Sequence, residues 1–101
     1  MVEVIWTKKA LTQLERAIKY IQEEQGTVYA QIVLERILSA TELLESIPEI
    51  GTVEPLLTHK KSTYRYLVVW SYKVIYRATP SKVVISRVFH TSRNPKNLKG
   101  I

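Results

Sequence analysis

The chain of 101 residues contains no cysteine, which excludes a disulfide scaffold and any zinc site built on thiolates. Glycine and proline are scarce, at three and four, so the composition is that of an ordered chain. No apolar run approaches the roughly 18 residues that a membrane span needs, and no charged-then-apolar leader opens the sequence. A soluble cytoplasmic protein without membrane contact is the expectation. There are only two histidines, His59 and His90, so a metal site would have to recruit acids from elsewhere, and neither metal nor cofactor is expected. A glycine-rich phosphate loop, a His-Glu-x-x-His helix and a carboxylate pair in the second half are also missing. The most informative absence is of negative charge. Residues 1–54 hold five bases and all nine acids, a net −4, whereas residues 55–101 hold ten bases and no acid, a net +10. Such a half cannot neutralise itself, so its cations either pair with acids from the first half or await a polyanion.

Hydropathy patterning predicts one α+β domain spanning residues 1–101. Val2-Glu3-Val4-Ile5-Trp6 reads as a short strand and Thr7 as a helix cap. Over residues 8–24, Leu11, Leu14, Ile18 and Ile21 recur at spacings of three and four and mark one face of a first helix. Gly26 ends it, and the Thr27 hydroxyl is suited to cap a second helix running to about Ser46, with Val33, Ile37, Ala40, Leu44 and Ile47 as its stripe. Pro48 closes that helix, and residues 49–55 read as a connection. Three runs dense in Val, Ile and Tyr follow, at 64–70, 72–78 and 82–90, joined by links short enough for an antiparallel meander. In the middle run Lys73, Ile75 and Arg77 share one face while Tyr72, Val74 and Tyr76 share the other. The economical architecture is β-α-α-β-β-β, with a helical hairpin on one face of a small antiparallel sheet and a cationic, partly open face opposite.

Bases and aromatics remain as the chemistry-bearing groups. Arg65, Lys73, Arg77, Arg87, Arg93 and the pair Lys60-Lys61 lie among Tyr64, Tyr66, Trp70, Tyr72, Tyr76 and Phe89. Phosphates can take the charges and unstacked bases can lie on the rings, so a nucleic-acid strand suits this composition. The bland alternative is a solvated sheet face with cross-strand aromatic pairs in its core. His90 closes the last strand beside Arg93. A group titrating near neutrality, next to fixed cations such as Arg93 and Lys73, is what phosphodiester cleavage requires.

These residues carry a resemblance. Val4-Ile5-Trp6-Thr7 with Ala10 and Leu14, Tyr20-Ile21, Pro48-Glu49-Ile50-Gly51, Tyr64-Arg65-Tyr66-Leu67-Val68-Val69, Tyr72-Lys73-Val74-Ile75-Tyr76-Arg77 and Val88-Phe89-His90-Thr91-Ser92-Arg93-Asn94-Pro95 look like a RelE/ParE superfamily toxin of bacterial type II toxin-antitoxin modules, the plasmid stabilisation family. The resemblance covers nearly the whole chain and implies a growth inhibitor held in a hetero-oligomer by a cognate antitoxin, whose disordered segment masks the basic face. It also implies one of two activities. A RelE-like mRNA interferase, an endoribonuclease that works with ribosome and mRNA, would use Lys73 and Arg93 on the phosphate and His90 or Tyr72 for proton transfer, with Arg65, Arg77, Arg87, Lys60 and Lys61 in RNA binding. Two departures weigh on that branch: the C-terminal tyrosine of RelE has no counterpart, and lysine at 73 in place of arginine loses bidentate phosphate binding. A ParE-like toxin would instead poison DNA gyrase by binding it, without nuclease activity. A non-toxic nucleic-acid-binding module is the third expectation, from composition alone.

Overall fold

The computed structural model describes residues 2–92, 98, 100 and 101, and the expectations placed on Arg93 lie outside the described residues. Strand β1 (Glu3–Trp6) leads into helix α1 (Lys8–Gln25), which turns at Gly26 into α2 (Thr27–Glu42). A single 3₁₀ turn over Leu43–Glu45, a short strand β2 (Thr52–Val53) and a second 3₁₀ turn over Pro55–Leu57 lead to β3 (Tyr64–Val69), β4 (Tyr72–Ala78) and β5 (Lys82–His90). The sheet order is β1-β5-β4-β3-β2, with β1 parallel to β5 and every other neighbour antiparallel. The expected hairpin-on-sheet architecture is therefore present, with a fifth strand where the sequence suggests only a connection. Two residues are too short for a period-2 signal, and β2 exists because Thr52 and Val53 pair with Tyr66 and Arg65.

The two helices pack on one sheet face. Ala10, Leu14 and Ile21 of α1 and Ala30, Val33 and Ile37 of α2 meet Tyr72, Val74, Tyr76, Val83, Ile85 and Val88. Within α1 the fully buried Ala10 takes the central line and Leu11 is left 42% exposed, because the small alanine lets the helix approach the sheet closely. Likewise Ile47, expected in the α2 stripe, lies beyond the helix and is exposed. The Thr7 hydroxyl accepts from the Ala10 amide (3.1 Å) as an N-cap and donates to the Ser86 carbonyl (3.4 Å), joining helix start to β5. Thr27 does not cap α2. Its place is taken by Gly26 at φ +96°, and the Thr27 hydroxyl accepts from Gln22 instead.

The segment between helices and sheet is fixed from the core. Tyr76, fully buried, donates its hydroxyl to the Pro48 carbonyl (2.7 Å) and accepts from the Gly51 amide (2.9 Å). Burial pushes this phenol above the ordinary tyrosine value of 10.0, and the Gly51 hydrogen bond offsets part of the rise. The unfolded chain therefore ionises first, so the contribution of Tyr76 to stability is complete below about pH 10 and declines as the pH rises through the native value. Tyr76→Phe is expected to lose about 1–3 kcal/mol at neutral pH. In urea titrations at pH 7 and pH 11, it should then lose less of its remaining stability to alkali than the unsubstituted chain.

Candidate functional site

Strand pairing decides which of the expected site residues can act together. Tyr72 is paired with His90, and Lys73 with Phe89. Tyr72 belongs to the core under the helices, whereas Phe89 packs in a second cluster with Leu57, Ile75, Leu98, Tyr64, Tyr66 and Ile101 on the other side. Side chains alternate along a strand, so Tyr72 and His90 face the helix layer while Lys73, Ile75 and Arg77 face away from it. The same parity is kept in β5 only because of a bulge. Ile75 pairs with Arg87 and Tyr76 with Ile85, leaving Ser86 as an extra residue. Without that insertion Arg87 would point into the helix-side core and Val88 out of it.

The expected cationic face is broken up residue by residue. Arg65 pairs with Tyr76 and so lies on the helix side, where its Nη1 donates to the carbonyls of Gly51 (3.0 Å) and Glu49 (3.4 Å). Arg87 is 7% exposed beneath the chain's last residues and donates from Nη1 to the Ser86 carbonyl (2.8 Å), so it is not offered to a nucleic acid. Arg77 is half-buried on the open face, four residues and thus roughly 13 Å of strand from Lys73. Lys60 and Lys61 are exposed in the turn before β3. Of the expected cations among the described residues, Arg77, Lys60 and Lys61 remain outward-facing with no internal partner described.

Lys73 is neutralised from within. Its Nζ lies 2.6 Å from Oε1 of Glu54 and 4.2 Å from the centre of the Tyr66 ring. Glu54, the last acid in the chain, is 1% exposed, and its Oε2 accepts from the Leu56 amide (3.3 Å). Carboxylate and ring together occupy the directions from which a phosphate would approach the ammonium. The open face is also covered at its centre: Ile75 is fully buried beneath the second cluster.

His90 sits elsewhere, at the rim of a groove of about 590 Å³ between α1 and the end of β5. Gln13, Arg16, Tyr20, Tyr72 and Ser92 share its lining. The His90 ring stands edge-on to Tyr72, with centroids 5.4 Å apart, and its Nδ1 accepts from the Ser92 amide (3.1 Å) with the Ser92 hydroxyl at 2.7 Å. A neutral ring so held carries its proton on Nε2. Gln13 is spent on the strand, its Oε1 accepting from the Val88 amide (2.7 Å). Among the described residues, no group of three or more His, Asp or Glu gathers as a metal site would require.

Two features escape sequence reading. Glu54 stands out only as the final acid before ten cations, and nothing local says which of them it meets. Trp70 reads as the end of a strand but is the first residue of the two-residue turn between the paired Val69 and Tyr72. Its φ is +58°, and Ser71 does not share that sign. Hairpin turns of this kind take glycine at that position, and a bulky residue there costs about 1–3 kcal/mol. The indole is 47% exposed and meets the Tyr29 ring of α2 edge-to-face, centroids 5.1 Å apart.

Comparison with known proteins gives two findings. The sequence model of a family described as the ParE toxin of the type II toxin-antitoxin system parDE matches residues 4–95. A solved structure described as the chromosomal ParDE TA system from P. aeruginosa shares the fold at a TM-score of 0.73 and 20% identity, covering 89% of this chain and 96% of that one. No curated protein sequence matches.

Proposed function

Because this chain belongs to the ParE toxin family of type II toxin-antitoxin systems, we propose that it arrests bacterial growth by binding DNA gyrase in the cytoplasm, as ParE-like toxins do, and that it is not a nuclease. One observation carries the choice between the two activities that the RelE/ParE resemblance implies. The sheet stands between the proton-carrying candidates, His90 and Tyr72, and the cations Lys73 and Arg77 that would hold a scissile phosphate. In-line cleavage needs both sets within a few ångströms of one phosphorus, and a sheet plane between these residues weighs against it. The ion pair of Lys73 with Glu54 points the same way.

A cognate antitoxin is the second partner in this reading. The net +10 of residues 55–101 suits an acidic, disordered segment that folds on binding, and the structural relative is itself described as a ParDE system. No helix among the described residues is long and apolar enough to cross a membrane.

The test is induction of the chain in cells, with mRNA 5′ ends mapped and gyrase assayed in parallel. Intact mRNA and stabilised gyrase-DNA cleavage complexes are expected, and both should persist in His90→Ala. Codon-phased mRNA cuts that disappear in His90→Ala, with gyrase unaffected, would sink this reading and restore the nuclease.

A further inference from the structure

Trp70 combines two properties that do not serve the fold with a single bracing contact. It holds a positive φ that glycine would adopt without strain, it leaves nearly half of a large apolar ring in water, and its one described ring contact is the edge-to-face meeting with Tyr29. Two of its neighbours in the chain or across the ring contact are also exposed and apolar. Val68, two residues earlier on the open face, is 55% exposed, and Val28, next to Tyr29, is 74% exposed. A strained turn that presents an indole, braced from one side by a second ring, is a pre-organised contact, since little rotamer freedom is left to lose on binding.

We propose that Trp70, with Tyr29 and Val68, is the anchor by which this toxin engages its protein target, entering an apolar pocket set in an acidic surface. The inference rests on the reading of the chain as a toxin that acts by binding a protein. Tryptophan is the residue most often found at the energetic centre of such contacts. The pocket's acidic setting follows from charge, since the hairpin tip belongs to the half with ten bases and no acid. A nucleic-acid strand fits less well, because the exposed neighbours are aliphatic and Lys73, paired across the strands with Val68, is already held by Glu54.

Trp70→Gly separates anchoring from folding, because glycine suits the turn. The melting temperature should stay level or rise, while growth arrest on induction is lost and inhibition of gyrase supercoiling weakens at least tenfold. Val68→Ser, at an exposed position, should weaken inhibition several-fold with the fold intact. Trp70→Gly that melts lower yet arrests growth as the unsubstituted chain does would assign Trp70 to packing and overturn the proposal. A Trp6→Phe background leaves Trp70 as the sole tryptophan. Saturable quenching of its fluorescence by a short single-stranded oligonucleotide would transfer the tip to nucleic acid and likewise overturn it. If the chain arrests growth without touching gyrase, the gyrase reading falls while Trp70→Gly still decides the anchor; a chain with no effect on growth overturns both.

Discussion

Gly51→Ala is expected to destabilise the fold by about 2–5 kcal/mol, out of proportion to the single methyl group it adds. A Cβ at this position would stand 2.5 Å from the Tyr76 hydroxyl oxygen, 2.7 Å from its Cε1 and 2.8 Å from the Tyr66 carbonyl oxygen. None of these atoms can move cheaply. Tyr76 is fully buried in the core beneath the helices, and the Tyr66 carbonyl is backbone of the strand that pairs with β2. The methyl group therefore displaces the ring or the edge strand. Either movement breaks the bonds from Tyr76 to Pro48 and Gly51 and loosens the carbonyls that Arg65 holds. Thermal unfolding should show a melting temperature lower by at least roughly 8 °C, at about 4–8 °C per kcal/mol for a domain of this size. Combining Gly51→Ala with Tyr76→Phe removes the closest contact but not the one to Cε1, so rescue should be partial. Full stability in Gly51→Ala would mean that the 48–51 segment is not clamped as described.

Lys73→Met should be the second large effect, a loss of about 2–4 kcal/mol. Glu54 is almost wholly buried, and removing its cation strands a buried carboxylate. The usual cost of such an orphaned charge is about 3–5 kcal/mol, and it is reduced here because the Lys73 side chain is 21% exposed, so water can reach the vacated corner. The pair itself need not be strongly stabilising. Glu54→Leu combined with Lys73→Met should regain most of the loss, since an apolar pair avoids the desolvation of both ions. A denaturant double-mutant cycle with a coupling of at least about 1 kcal/mol is expected. If Lys73→Met unfolds at the same urea concentration as the unsubstituted chain, Glu54 is solvated and Lys73 is free for an anion, which would reopen the nuclease reading.

These two sites show where sequence reading stops. Both helices and the three long strands were legible from spacing, because amphipathic elements repeat their apolar residues at 3.6 or 2. Face assignment within β4 was legible for the same reason, with Lys73, Ile75 and Arg77 opposite Tyr72, Val74 and Tyr76. Parity in β5 was not, because the Ser86 bulge is a property of pairing with β4 and leaves no local mark. The Gly51 clamp, the Glu54 partner and the Trp70 turn were likewise hidden. Each depends on a residue brought in by the fold, or on a backbone angle that the side chain does not favour.

The sequence by itself determined the fold class, the acid-free second half and the likeness to RelE/ParE toxins, since periodicity, charge and motif order are all written along the chain. Only the tertiary structure decided what the charge means. Cations that look like one basic surface in sequence are divided by the sheet, with Arg65 spent on backbone carbonyls, Arg87 buried and Lys73 closed by Glu54. A sheet has two faces and a linear sequence does not say which of them a neighbour will cover. Separation of His90 from Lys73 is that physical fact at work, and it supports the proposed reading of a surface that acts by binding.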